Sequence, residues 1–75
     1  MSQEDEEDED ELVLAILLSM GIPRNEANYV VNDLSVSQKR EIIRDVDINS
    51  ITDEDARKAL EKIPKEKREE ITIRS

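Results

Sequence analysis

The chain of 75 residues contains no cysteine, no histidine, no tryptophan and no phenylalanine. Without cysteine there can be no disulfide and no thiolate metal site. Without histidine and cysteine, the commonest general base and the best nucleophile are both missing. The Ser, Lys and carboxylate groups that remain fall mostly at helix caps and on charged faces, and one small domain has little room for a cleft that would pair two carboxylates. The expectation is a protein that is not an enzyme and that uses no cofactor and no metal. Tyr29 is the only aromatic residue, so the core must be aliphatic, built from Leu, Ile, Val, Ala and Met around Tyr29. Long apolar runs are also missing. The longest, Leu12 to Leu18, has seven residues, against the roughly 20 that a bilayer requires. The N-terminus is acidic where a secretory signal needs a basic segment. Together these point to a soluble, cytoplasmic protein with no membrane partner.

A chain this short has room for one domain. Such a domain buries only about 60% of the surface its unfolded chain exposes, so its stability is marginal. The formal net charge is -9, and its placement matters more than its size. Residues 4–11, EDEEDEDE, carry eight acids and no base, while the rest of the chain has 12 acids and 11 bases. Like charges in a row repel one another and bury nothing apolar, which predicts a disordered tail over residues 1–10 that folding can dispense with. Such a tail either aids solubility or docks onto a basic partner.

The remainder reads as helices. Glu11 to Met20 is the first, with acids at its start to suit the helix dipole and Gly21 as its C-terminal cap. It is apolar on every side, as expected of a helix central to a bundle or buried in a dimer. Pro23 opens a second helix, in which Ala27, Val30, Val31 and Leu34 follow an i, i+3, i+4, i+7 stripe. Ser35 with Gln38 has the form of a capping box and opens a third helix to about Val46, with Val36, Ile42, Ile43 and Val46 inward. Thr52 with Asp55 resembles another cap. The fourth helix shows the stripe again in Ala56, Ala59, Leu60 and Ile63, and Pro64 ends it. In the charged residues 65–75, Ile71 and Ile73 alternate, which suggests a frayed end or a short edge strand. The fold class expected is all-α: a small bundle of three to four short helices over residues 11–64, behind a disordered acidic tail.

Asp45, Asp47, Asn49 and Asp53 stand at positions 1, 3, 5 and 9 of a calcium-loop pattern, between two helices. The glycine needed at position 6 is Ser50, and the bidentate glutamate of position 12 is Ala56, so a capped loop without an ion is the better reading.

Met20-Gly21-Ile22, followed by Ala27 and then Val30-Val31, resembles the first two helices of a ubiquitin-associated (UBA) domain. That family carries Met-Gly and an aromatic in its first loop, Ala seven residues after the Met, and a small apolar pair three and four residues later. Ile22 stands where the aromatic usually is, the third helix departs from the pattern and the fourth is extra. The resemblance implies a partner-binding patch of Met20, Gly21 and Ile22, joined by Ile42 and Ile43. The same stretch is also similar to the opening helices of archaeal TrmB-type winged helix-turn-helix domains, through Met20-Gly21-Ile22, Glu26-Ala27 and Tyr29. In that register residues 40–63 would be helix, turn and recognition helix, and EITIR a stunted wing. Charge weighs against DNA as the partner. DNA affinity comes largely from Lys and Arg on phosphates, and a recognition helix opening with Asp53-Glu54-Asp55 would repel the backbone.

Three functions follow from these features. The first is a non-catalytic protein-interaction module with a regulatory role, UBA-like or a repurposed helix-turn-helix. The second is a DNA-binding transcriptional regulator. The third is a small viral or plasmid-type inhibitor whose acidic tail mimics nucleic acid. A homodimer through the Leu12–Leu18 helix is also expected, because the narrow stripes of the other three helices cannot surround it. The competing account has Ile48, Ile51, Ile71 and Ile73 fold back to close that helix within one chain.

Overall fold

A computed structural model describes the backbone of residues 2–74 and the side chains of residues 8–73. It is all-helical: α1 (Ser2–Ser19), α2 (Arg24–Asp33), α3 (Val36–Asp45), a single 3₁₀ turn (Ile48–Ser50), α4 (Glu54–Glu61) and α5 (Lys65–Arg74). There are five α-helices, one more than the largest number expected, and no strand among the described residues. The bundle measures about 30 × 24 × 20 Å. No helix among the described residues is long and apolar enough to cross a membrane.

The organising element is α1, which packs against each of the other four helices and most extensively against α4. Its seven consecutive apolar residues, Leu12 to Leu18, are between 0% and 7% exposed. An apolar helix with no polar face is stable in water only if it is surrounded, and one chain achieves this here. Ala15 on α1 and Ala56 and Ala59 on α4 are all fully buried. Their small side chains let the two helices approach closely, which leaves room for α2, α3 and α5 around the rest of the circumference. Ile43, Ile63 and Ile71, from α3, the end of α4 and α5, fill the remaining space at 0–1% exposure.

The reason for expecting a homodimer through Leu12–Leu18 is therefore removed, since that helix has no uncovered face to offer. Of the four isoleucines that would close it from within, Ile48 and Ile71 are buried, Ile51 packs against the core from its edge, and Ile73 points to solvent. Tyr29, expected at the centre of the core, is 76% exposed, and the core is aliphatic throughout. Val36, expected inward on α3, is exposed.

Helix α1 begins at Ser2, and the last residues of the expected tail over residues 1–10, Glu9 and Asp10, are tied to the bundle through α3. Met1, where that expected tail begins, lies outside the described residues. Like-charge repulsion opposes this helix, but two effects favour it. Carboxylates near a helix N-terminus meet the positive end of its dipole. In addition, α3 presents cations: Arg40 Nε donates to Glu9 Oε2 at 3.3 Å, and Lys39 Nζ stands 2.6 Å from Asp10 Oδ1. The Glu9 side chain is only 7% exposed.

Residues 65–75 were expected to be frayed or extended, but residues 65–74 form α5. In a strand Ile71 and Ile73 would share a face, whereas on a helix they lie about 200° apart at 3.6 residues per turn. One is 1% and the other 83% exposed. Each proline sits just before a helix, its carbonyl accepting the first bond: Ala27 N–H donates to Pro23 O at 2.8 Å and Arg68 N–H to Pro64 O at 3.0 Å. Proline is suited to that place because it has no N–H to leave unpaired.

Candidate binding surface

The five residues that the sequence nominates for a partner surface are not equivalent in the fold. Gly21 has φ +88°, with its N–H on Leu18 O at 3.0 Å, and the N–H of Ile22 reaches Leu17 O at 3.2 Å. These two bonds make a Schellman ending for α1. That ending normally carries an apolar residue just past the glycine that packs back onto the helix, and Ile22 fills the role, half-buried against the core. Ile22 is thus demanded by local structure. Met20 is not: it is 68% exposed at the end of α1. Ile42 is half-buried at the core edge and Ile43 is 0% exposed. Ile43 belongs to the core and cannot form part of a surface patch. The inward reading of α3 applies to it, and the family carry-over does not.

Sequence reasoning missed the outer face of α2. Asn25, Asn28, Tyr29 and Asn32 repeat as i, i+3, i+4, i+7, so they form one stripe along the helix, and all four are exposed. The signal lies in the periodicity, on the side of the helix opposite the apolar stripe. In a chain of which 41% of residues are charged, this stripe has no charge. The exposed residues of α4, Glu54, Asp55, Arg57, Lys58 and Glu61, show what an ordinary solvated face in this protein looks like.

The carboxylates of the calcium-like loop have structural occupations. Asp45 lies 3.8 Å from the Arg44 guanidinium, Asp47 Oδ1 accepts from Asn49 N–H at 3.1 Å, and Asp53 Oδ2 accepts from Ala56 N–H at 3.0 Å. Asp53, rather than Thr52, is therefore the cap of α4. The box opening α3 is as read, with Gln38 N–H on Ser35 Oγ at 3.2 Å and Ser35 N–H on Gln38 Oε1 at 2.9 Å. Among the described residues, no three Asp or Glu side chains converge as a metal site would require.

The open grooves of the surface include three lined by described residues. One of about 360 Å³ lies between the acidic part of α1, α2 and the end of α4, with Asp8, Asp10, Glu11, Asn28, Asn32 and Lys62 at its rim. The other two, of about 280 and 440 Å³, flank the 3₁₀ turn and share Ile48, Asn49 and Arg68. The chain matches no family model, no curated protein and no solved structure with which it was compared.

Proposed function

We propose that this protein is a non-catalytic protein-interaction module that holds a macromolecular partner on the outer face of α2 and the adjoining end of α1. The carrying observation is the uncharged stripe Asn25, Asn28, Tyr29 and Asn32, with Tyr29 76% exposed. Tyrosine gives a large, stiff contact at low entropic cost, and amides give adaptable hydrogen bonding. A face without charges avoids the heavy desolvation cost that ion pairs incur when an interface closes over them. Met20 adds an apolar, conformationally adaptable side chain where α1 ends. The UBA-like reading is in keeping with this arrangement at Met20 and Gly21, and it is proposed without Ile43.

The helix-turn-helix reading would use α3, the 3₁₀ turn and α4. Its weakness is electrostatic, because α4 opens with Asp53, Glu54 and Asp55. The bases of α3 are also engaged: Lys39 with Asp10, Arg40 with Glu9, and Arg44 with Glu41 and Asp45. EITIR lies within α5, so no wing accompanies such a unit.

Immobilised protein carrying Tyr29→Ala or Met20→Lys tests the proposal. Both sites are exposed, and a cation at a helix C-terminus is compatible with the dipole, so both variants should melt within a few degrees of the parent. Both should lose the partner that the parent captures from an extract of its own cells, while Glu54→Gln keeps it. Equal capture by all four proteins would reject this surface.

A further inference from the structure

The two grooves that flank the 3₁₀ turn form one surface, because Ile48, Asn49 and Arg68 line both. On the α5 side its walls are Val46, Thr72 and Ile73; on the α4 side they are Ile51 and Leu60. Arg68 stands between the two halves. The residue is partly exposed, while its Nε is withdrawn from solvent and has no hydrogen-bond partner. Buried donors are almost always paired in folded proteins, and a guanidinium is built to take a carboxylate along two parallel bonds. Lys65 and Arg57, at the two ends of the surface, enter no ion pair among the described residues. Three carboxylates share the surface. Asp47 already accepts from Asn49 N–H, and Glu61 and Glu69 lie on the helices α4 and α5. Ile73 projects beside them, 83% exposed, with no packing role in the bundle.

We infer that this surface binds an extended acidic-aliphatic peptide segment of a partner protein: one Asp or Glu seated on Arg68, flanked by aliphatic side chains resting on Ile48 and Ile73 to one side and Ile51 to the other. Backbone-extended ligands place alternate side chains in successive depressions, and the groove offers two depressions with a cation between them. The surface shares no residue with the α2 stripe, so the inference stands or falls separately from the proposed function.

The chain's net charge of -9 makes the test discriminating. Its long-range field attracts cationic peptides and repels anionic ones, so unspecific binding selects the opposite chemistry. A display library of random nonapeptides is selected on the full chain in about 0.15 M salt, where the Debye length is ~8 Å. The expected result is enrichment of sequences with Asp or Glu within two positions of Leu, Ile or Val. Exchanging that acid for its amide should weaken binding about tenfold, as loss of a charge-assisted hydrogen bond does. Arg68→Gln should abolish the enrichment. Ile73→Ser, at a side chain too exposed to affect folding, should weaken it independently, and Glu69→Gln should strengthen it. Enrichment of basic sequences, no enrichment, or acidic sequences retained equally by Arg68→Gln and Ile73→Ser would each overturn the assignment.

Discussion

Truncating Ile16 to alanine tests whether α1 is covered by its own chain. Ile16 is 1% exposed at the middle of the Leu12–Leu18 run. Ile→Ala at a buried site loses both transfer free energy and packing around the cavity, typically about 2–5 kcal/mol. A 75-residue domain holds roughly 4–11 kcal/mol of stability in total. At this size each kcal/mol moves the melting temperature by roughly 4–8 °C. Ile16→Ala should therefore lower the midpoint by about 10 °C or more, or leave the chain unfolded at room temperature. Ile73→Ala removes the same atoms from a side chain that is 83% exposed, and should change stability by no more than about 0.5 kcal/mol. The assay is thermal and denaturant unfolding followed by helical circular dichroism, repeated over a hundredfold range of protein concentration. Equal small shifts for the two variants would refute the packing described. So would a parent midpoint that rises with concentration, because a second copy would then be covering α1.

Gly21→Ala should cost about 1–2 kcal/mol, the penalty of a left-handed conformation for a residue with a Cβ, because the φ of +88° is retained and nothing lies within 4 Å of the added atom; a loss of stability well above that range would mean that the site is sterically closed. Ser35→Ala should cost about 1 kcal/mol in denaturant unfolding by removing the cap of α3. Arg40→Ala should cost about 1–3 kcal/mol by stranding the Glu9 carboxylate, which is nearly buried. Because Arg40 itself is 56% exposed, that difference should shrink as salt is raised, and a salt-independent loss would mean that packing, not charge, explains it.

The elements most legible in the sequence were those with a local signal. Ser35 and Gln38 named the start of α3, Gly21 named the end of α1, and the stripes Ala27-Val30-Val31-Leu34 and Ala56-Ala59-Leu60-Ile63 named the inward faces of α2 and α4. Residues whose fate is decided by distant partners were misjudged. Nothing within EDEEDEDE announces that Arg40, 31 positions away from Glu9, will pair with it. Ile71 and Ile73 suggested alternation, but what selects a helix there is the gap over α1 that Ile71 fills. Tyr29, as the single aromatic residue, is expected in the core, yet on α2 it lies on the side opposite the inward stripe Ala27-Val30-Val31-Leu34, and helix phase alone carries it to the surface. Ile43 and Ile42 show the limit of a family pattern. The resemblance nominates both for a surface, while their positions on α3 put one wholly inside and the other at the edge. The candidate surface on α2 is written in the sequence as a polar, uncharged repeat at helical spacing, which is neither an apolar nor an ionic cluster.

The central functional claim is that α2 presents its uncharged stripe to a protein partner. It is tested most directly by placing a photo-activated cross-linking amino acid at position 29, with positions 20 and 54 as companions, and irradiating the protein in an extract of its own cells. The account predicts that one and the same polypeptide is cross-linked from positions 29 and 20, not from position 54 on α4, and that Asn28→Asp placed beside the position 29 probe reduces the yield. Cross-linking that is as strong from position 54, or that yields unrelated polypeptides from positions 29 and 20, would contradict it.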